Sequence, residues 1–434
     1  MASGHHRWRR RCASVLAASL VVGTARAEDA PDSVRLALPP WSPIPVQPWP
    51  SSLHVQEGEQ SLHFAPTSSA PRRGSVAEGG SLPAFAAQLG TGCRSAWFQV
   101  GPEAWLCSDV VAFSTRPASP WFLQTAPSGD GLPFRYYFAG PSGARGYRNL
   151  LEFDVAEPAF EFDEGFAIAV VQERIVQGER YARTRRGLWV RLAEFVPARP
   201  STFRGSELTE AERDLSFAWV VVDRAPLYRR VGSTFVPTGH AKARFERVGW
   251  FEEVRTPFSA YARIDAEVWI RSSDVRHPTR AEPPADERIA RGSRWLDIDL
   301  ASQTLVAYEG DRPRFATLVS TGRGKEGSPL STPLGLHRIW VKLLATTMDN
   351  LEDESASSYY RIEDVPYVQF FAKGVGIHAA FWHRSFGHVR SHGCVNVAPS
   401  DAAFLFAFTG PVVPSGWSAA LPTRLDGGTP VRVR

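Results

Sequence analysis

Three copies of one short pattern limit what this chain can fold into. Each copy is an aromatic residue, then eight residues later a tryptophan followed by an apolar residue, then an acid and another apolar residue. The copies are Trp97…Trp105-Leu106…Asp109-Val110, Tyr181…Trp189-Val190…Glu194-Phe195 and Tyr261…Trp269-Ile270…Asp274-Val275. Their tryptophans stand 84 and 80 residues apart, and the first copy has one residue fewer between Trp and acid. Aromatics so placed read as two short strands around a tight turn, with an aromatic on each strand. The pattern predicts several small β modules.

The modules are placed at 76–116, 130–200 and 214–276. Each resembles a bacterial Src-homology-3-like barrel, which implies either wall binding or a structural spacer. Before them, residues 28–75 read as a Pro-rich tether, because seven prolines fall between Pro31 and Pro50. After them, residues 277–290 with Pro283 and Pro284 read as a linker. A last domain then spans 291–434.

Residues 1–27 have the form of a secretory signal peptide. Arg7, Arg9, Arg10 and Arg11 precede a short apolar run from Ala13 to Ala25, and Ala25-Arg26-Ala27 offers a cleavage site. The run is too short for a final membrane anchor, and no later stretch is long or apolar enough to span a bilayer. Cleavage after Ala27 takes the net charge from +4 to −1, since residues 1–27 hold five arginines and no acid. That balance argues against a nucleic-acid partner. It also leaves three cysteines. Cys93 and Cys107 are close in sequence and would pair in an oxidising compartment. Cys394 is the odd thiol, and an odd thiol in an exported protein is a reactive group or an intermolecular link.

From Arg291 the pattern changes to longer strands. Leu296, Ile298 and Leu300 alternate with Asp297 and Asp299, as in a half-buried strand. A turn near Ala301-Ser302-Gln303 leads to strands over 304–308 and 315–320. Gly322, Gly324 and Gly327 mark a mobile loop, and no Gly-Lys-Ser/Thr follows that would make it a phosphate loop. Pro399 and Ser400 open a short helix through Phe408 that Gly410 ends.

The chemistry gathers in Gly376-Ile377-His378-Ala379 and Ser391-His392-Gly393-Cys394-Val395-Asn396. A thiol becomes a strong nucleophile as a thiolate, and a histidine in reach takes its proton and returns it to a leaving amine. His378 ends an apolar run that would fix it on a strand. Gly393 permits a tight turn that exposes backbone N–H groups to an oxyanion.

These residues resemble the signature of the YkuD-like L,D-transpeptidase catalytic domain, over roughly residues 292–434. Supporting likenesses are the opening hairpin Leu296-Asp297-Ile298-Asp299-Leu300…Gln303-Thr304-Leu305, then Ser320-Thr321-Gly322 and Thr332-Pro333-Leu334-Gly335. The resemblance implies a mostly β chain whose last domain is a β-sandwich or barrel with a short helix after the cysteine. It implies Cys394 as nucleophile, His378 as base and the Ala379 carbonyl as the group that orients His378. His392, Gly393 and Cys394 would form the oxyanion hole through backbone N–H groups. Asn396, Ser391, Tyr360 and Met348 would meet substrate, the last two from a lid. No cofactor is implied. The implied partners are peptidoglycan peptide stems, with a stem amine, water or an outer-membrane protein lysine as acyl acceptor.

Other readings of the same residues are an inert buried cysteine, and a zinc site from His378, His383, His388, His392 and Cys394, whose spacings fit no common zinc pattern. His383 and His388 read as solvated loop or lid residues, and Tyr360 as either lid or core. A wall-binding protein with a degenerate last domain is the non-enzymatic alternative.

Overall fold

A computed structural model describes residues 52–434 apart from 116–117, 119–130, 154, 287–288, 290–291, 352–358 and 425. The expected leader, and residues 28–51 of the expected tether, lie outside the described residues.

The last domain opens with three antiparallel strands, β1 (Arg294–Asp299), β2 (Thr304–Glu309) and β3 (Arg312–Ser320). The β1–β2 turn is set by Asp299, whose Oδ1 accepts the N–H groups of Ala301 and Ser302. Strands β4 (Gly335–Arg338), β5 (Val341–Asp349), β6 (Arg361–Ala372), β7 (Val375–Ala379) and β8 (Val395–Val397) follow. Then come helix α1 (Pro399–Phe408), β9 (Ala419–Ala420) and β10 (Pro430–Val433). Pairing runs β4-β10-β1-β2-β3-β8-β7-β6-β5-β9. The pairs β1–β10 and β7–β8 are parallel, and the rest are antiparallel.

Helix α1 starts with Pro399 at its first position, where a missing N–H costs nothing. Its buried residues Ala402, Leu405 and Phe408 recur every third position and pack against Leu296, Ile298, Leu305, Val319, Ile377 and Val395. The opposite face of the sheet is covered as well. Trp295, Val306, Tyr308 and Leu318 pack against Phe203, Phe217, Trp219, Ala281 and Ile289. The β1 strand is therefore buried on both faces instead of one. Asp297 is 1 % exposed and is held by the guanidinium groups of Arg432 and Arg434 at 2.7 and 3.0 Å. The alternation of acids with apolar residues in β1 thus reflects ion pairing with the chain's last strand, not a wet face.

The three aromatic repeats share one local structure. Trp105, Trp189 and Trp269 each lie on a short strand that runs into a 3₁₀ turn holding the acid, at Ser108–Val110, Leu192–Glu194 and Ser272–Asp274. The pairing register repeats too: Trp97 faces Cys107, Tyr181 faces Arg191 and Tyr261 faces Arg271. In the first copy Cys93 and Cys107 are joined by a disulfide.

Residues 52–75 are not a tether. They supply strands Ser52–Val55, Gln60–His63 and Arg72–Val76, and Leu53, Val55 and Leu62 are fully buried. Their partners include Trp417 and Ala420 from the last domain, so the first module closes over residues about 350 positions away. Proline content marked the segment 31–50 and was extended too far. The 277–290 linker also packs, through Ala281 and Ile289. Among the described residues no helix is long and apolar enough to cross a membrane.

The second module docks on β6. Ala167 pairs in parallel with Ile362, and Tyr136, Ala169, Val365 and Phe381 share a core. Asp364 has a left-handed backbone (φ 52°), which a non-glycine residue adopts only when its surroundings impose it. Here the Tyr136 hydroxyl donates to its carbonyl at 2.7 Å and Arg185 pairs with its carboxylate. Beside it Glu363 is 2 % exposed, with Oε2 buried and without a hydrogen-bond partner among the described residues, while Arg186 and Arg361 stand 3.8 and 3.6 Å from Oε1. Burial pushes the Glu363 carboxyl up to about 7 despite those cations. The folded state therefore binds a proton that the unfolded state has released, so stability is lost as pH rises from the ordinary carboxyl range through about 7. Thermal and urea unfolding should show that loss, on the order of 3 kcal/mol at most, and Glu363→Gln should flatten it. An unchanged slope in the variant would sink the assignment.

Candidate active site

Parallel pairing of β7 with β8 builds the site. Ile377 faces Val395 and His378 faces Asn396. Side chains alternate along a strand, so residues in register share a face and so do residues two apart. His378, Asn396 and Cys394 consequently lie on one side of the sheet. They line a cleft of about 710 Å³ with Arg323, Met348, Tyr360, Trp382 and His392.

His378 is 2 % exposed, and its Nδ1 lies 3.0 Å from the Ala379 carbonyl oxygen. A carbonyl only accepts, so Nδ1 carries the proton and Nε2 is the bare nitrogen. Trp382 stacks on the ring at a centroid distance of 5.8 Å. Burial pushes His378 down to about 4, against the raising effect of the Ala379 bond. Burial also pushes the Cys394 thiol above its ordinary value, against the N–H of Gly376, which favours the thiolate. The resting pair is thus thiol and neutral imidazole.

The turn before Cys394 is braced on all sides. Gly393 has φ +129°, a region closed to residues with a Cβ, and a Cβ there would sit 3.3 Å from Ser331 O. Its carbonyl accepts from Thr332 Oγ1 at 2.7 Å, and the same Thr332 oxygen accepts from Gly322 N–H. Gly322 and Gly324 are clamped, not free: a Cβ on Gly322 would meet Leu330 O at 2.4 Å, and Gly324 N–H donates to that carbonyl. Thr321 O accepts from the N–H groups of Arg390 and Ser391, and Gln303 in turn holds Thr321.

Ser391 was expected at the substrate, yet its hydroxyl is spent inside this turn. It donates to Cys394 O and accepts from Gly393 N–H. Of the three N–H groups expected in an oxyanion hole, that of Gly393 is thereby engaged. His392 is exposed, stacks on Tyr360 at 5.7 Å and lies 2.9 Å from Arg323 Nη2. Met348 is the last residue but one of β5 and Tyr360 precedes β6, with 352–358 between them outside the described residues.

His383 and His388 are not solvated. His383 is 7 % exposed and lies 3.0 Å from the Asn396 amide, while His388 Nε2 is 3.1 Å from Val221 O. Aromatic residues of 203–221 cover this loop, which the local sequence does not reveal. Trp382, Arg323 and Arg390 line the cleft and were missed. Trp382, four residues after His378, was within reach of a sequence argument; the arginines were not, because loops bring them in.

Residues 293–433 match the family model of YkuD, the L,D-transpeptidase catalytic domain. The matched residues span β1 to β10 and contain His378, Cys394 and the strands that bring them together. Comparison with curated proteins gave no match. Among solved structures, the catalytic domain of the Enterococcus faecium L,D-transpeptidase is 25% identical over 33% of this chain and 98% of that one, at a TM-score of 0.25. An L,D-transpeptidase from Mycobacterium smegmatis is 16% identical over 62% of this chain and 99% of that one, at 0.26. For an L,D-transpeptidase fragment from Xylanimonas cellulosilytica the figures are 19%, 36% and 64%, at 0.23, so this chain spans just under two thirds of its length. TM-scores of this size carry no structural argument.

The neutral pair has a kinetic consequence. Alkylation of Cys394 by iodoacetamide should accelerate only as pH approaches and passes the ordinary thiol range. A thiolate–imidazolium pair would instead give a fast plateau from weakly acidic pH. Peptide mapping of the Cys394 adduct against pH distinguishes the two, and a plateau at pH 5–7 would refute the neutral pair.

Proposed function

We propose that the protein is an exported L,D-transpeptidase that forms a thioester between Cys394 and a donor tetrapeptide stem and passes the acyl group to an amine of an acceptor stem. The observation that carries this reading is the pairing of β7 with β8 inside the YkuD domain, which gives a buried histidine with a bare Nε2 and a cysteine on one face of one cleft.

The chemistry follows from those groups. His378 Nε2 takes the Cys394 proton as sulfur attacks the carbonyl of the L,D peptide bond. The imidazolium then returns the proton to the departing nitrogen, D-alanine leaves and a thioester remains. The acceptor amine attacks the thioester, gives up a proton to Nε2, and sulfur leaves as thiolate and is reprotonated. Burial holds both partners neutral between turnovers, so charge arises only when substrate excludes water and donors face the oxyanion. The N–H groups of His392 and Cys394 are the donors assigned here. No step needs a cofactor. The leader-like residues 1–27 support export.

The full chain incubated with purified tetrapeptide muropeptides should yield cross-linked dimers. Trimmed stems without dimers would make water the acceptor, and binding without product would leave a wall-binding protein. Cys394→Ala should abolish product. His378→Gln should lower turnover by about 10²–10⁴, and full activity in either variant would overturn the mechanism.

A further inference from the structure

His383 is buried beside the site and has a hydrogen-bond partner on each ring nitrogen. The N–H of Ser385 donates to Nδ1 at 3.1 Å. A backbone N–H can only donate, so Nδ1 carries no proton. Burial first, then Arg390 and His378, push His383 down to about 3, so the ring is neutral. Its one proton must therefore sit on Nε2. That nitrogen lies 3.0 Å from the side-chain amide of Asn396, with Nδ2 as the nearer end, and two N–H donors cannot share a hydrogen bond, so the amide has to be read with its ends exchanged. A protonated Nε2 needs an acceptor, so the amide must present its oxygen to His383. The two ends of an Asn amide have nearly the same shape, and the hydrogen-bond network decides which is which. The NH₂ group is then the end turned away from His383. The far end of the amide has no partner among the described residues, and Asn396 lines the cleft in register with His378.

We infer that His383 is a positioning residue that fixes the Asn396 amide with its NH₂ group toward the cleft, where it donates to a carbonyl or carboxylate oxygen of the acyl donor. This rests on the transpeptidase reading and deepens it. An amide held the other way would offer an oxygen and favour the ammonium of an acceptor. Held this way, it selects for the electron-rich groups of the donor peptide. Asn396 therefore acts on acylation and not on transfer to the amine. His383 touches neither Cys394 nor substrate, so its effect passes through Asn396. The ring is clamped against Phe386 at 4.9 Å and Trp382 at 6.2 Å, which denies it another rotamer.

The test uses the full chain in two measurements. In protein labelled with ¹⁵N-histidine, long-range ¹H–¹⁵N spectra at pH 7, assigned with His383→Phe, should show His383 as the Nε2–H tautomer. An Nδ1–H tautomer or an imidazolium overturns the proposal whatever the substrate. The second is a double-mutant cycle on the rate at which a tetrapeptide donor acylates Cys394. His383→Phe and Asn396→Ala should each raise the donor KM by about tenfold, and the double variant should be no worse than Asn396→Ala alone. Asn396→Asp keeps an acceptor for His383 but loses the donor, and should be as impaired as Asn396→Ala. Iodoacetamide alkylation of Cys394 should be unchanged in His383→Phe and Asn396→Ala, which add no charge to the cleft. The proposal fails if His383→Phe costs the same factor in the Asn396→Ala background, or if it slows alkylation and acylation equally. Absence of acylation in the unsubstituted protein, with normal alkylation, would instead sink the transpeptidase reading and this inference with it.

Discussion

Parallel pairing between β7 and β8 is the contact on which the site depends. The ladder is only three residues long, Ile377 to Ala379 against Val395 to Val397. So short a ladder does not fix a register by itself. The register is imposed from outside, by β3 on the far edge of β8 and β6 on the far edge of β7. A slip of one residue would send Asn396 and Cys394 to the opposite face. The side chains of Val395 and Val397 are fully buried in the core under α1, so a slip would also expose them. Core packing thus sets the alignment of His378 with Cys394 and Asn396.

The same sheet reaches beyond the residues that match the YkuD model. Strand β6 carries Ile362 into the cleft and at that residue also pairs with the second module. Arg186 of that module bonds Thr347 on β5, which lines the cleft as well. The module therefore buttresses both strands that lead into the 349–360 crossing. Glu363 and Asp364 sit at this joint, buried and facing arginines, and the left-handed turn at Asp364 exists because both of its polar groups find partners there. The second module is in this respect a structural support of the cleft, whatever else its outer face does.

Much of this was legible from residue order. The β1–β2 turn, the helix after Cys394 and the three aromatic repeats follow local rules: an Asp that caps its own turn, a proline at a helix start, aromatics that face each other across a turn. The pairing of His378 with the Ala379 carbonyl also followed once the motif was recognised. What escaped were contacts between distant segments. Nothing near Asp297 announces Arg432 and Arg434, and nothing near Leu53 announces Trp417. The resemblance placed Ser391 at the substrate, yet its hydroxyl bonds two backbone groups of its own turn. His383 read as a loop or lid residue, while its aromatic cover comes from residues 203–221.

The neutral state of His378 and Cys394 ties these levels together. A cleft open enough to admit a peptide would normally hydrate an imidazole and leave it near its ordinary value. Here Trp382 covers the ring, the second module supplies Tyr136 stacked at 4.0 Å against the adjacent Phe381, and His378 is sealed from behind. The proton on Nδ1 is held by a carbonyl, which cannot take it, and not by a carboxylate, which would raise the basicity of Nε2. A carbonyl orients the ring without stabilising an imidazolium strongly. In the proposed reaction the site would stay uncharged until a substrate carbonyl begins to collect charge, and the cost of separating thiolate from imidazolium in a dry pocket would fall on the transition state, where backbone dipoles offset it. Burial, more than any single hydrogen bond, keeps this cysteine in its thiol form.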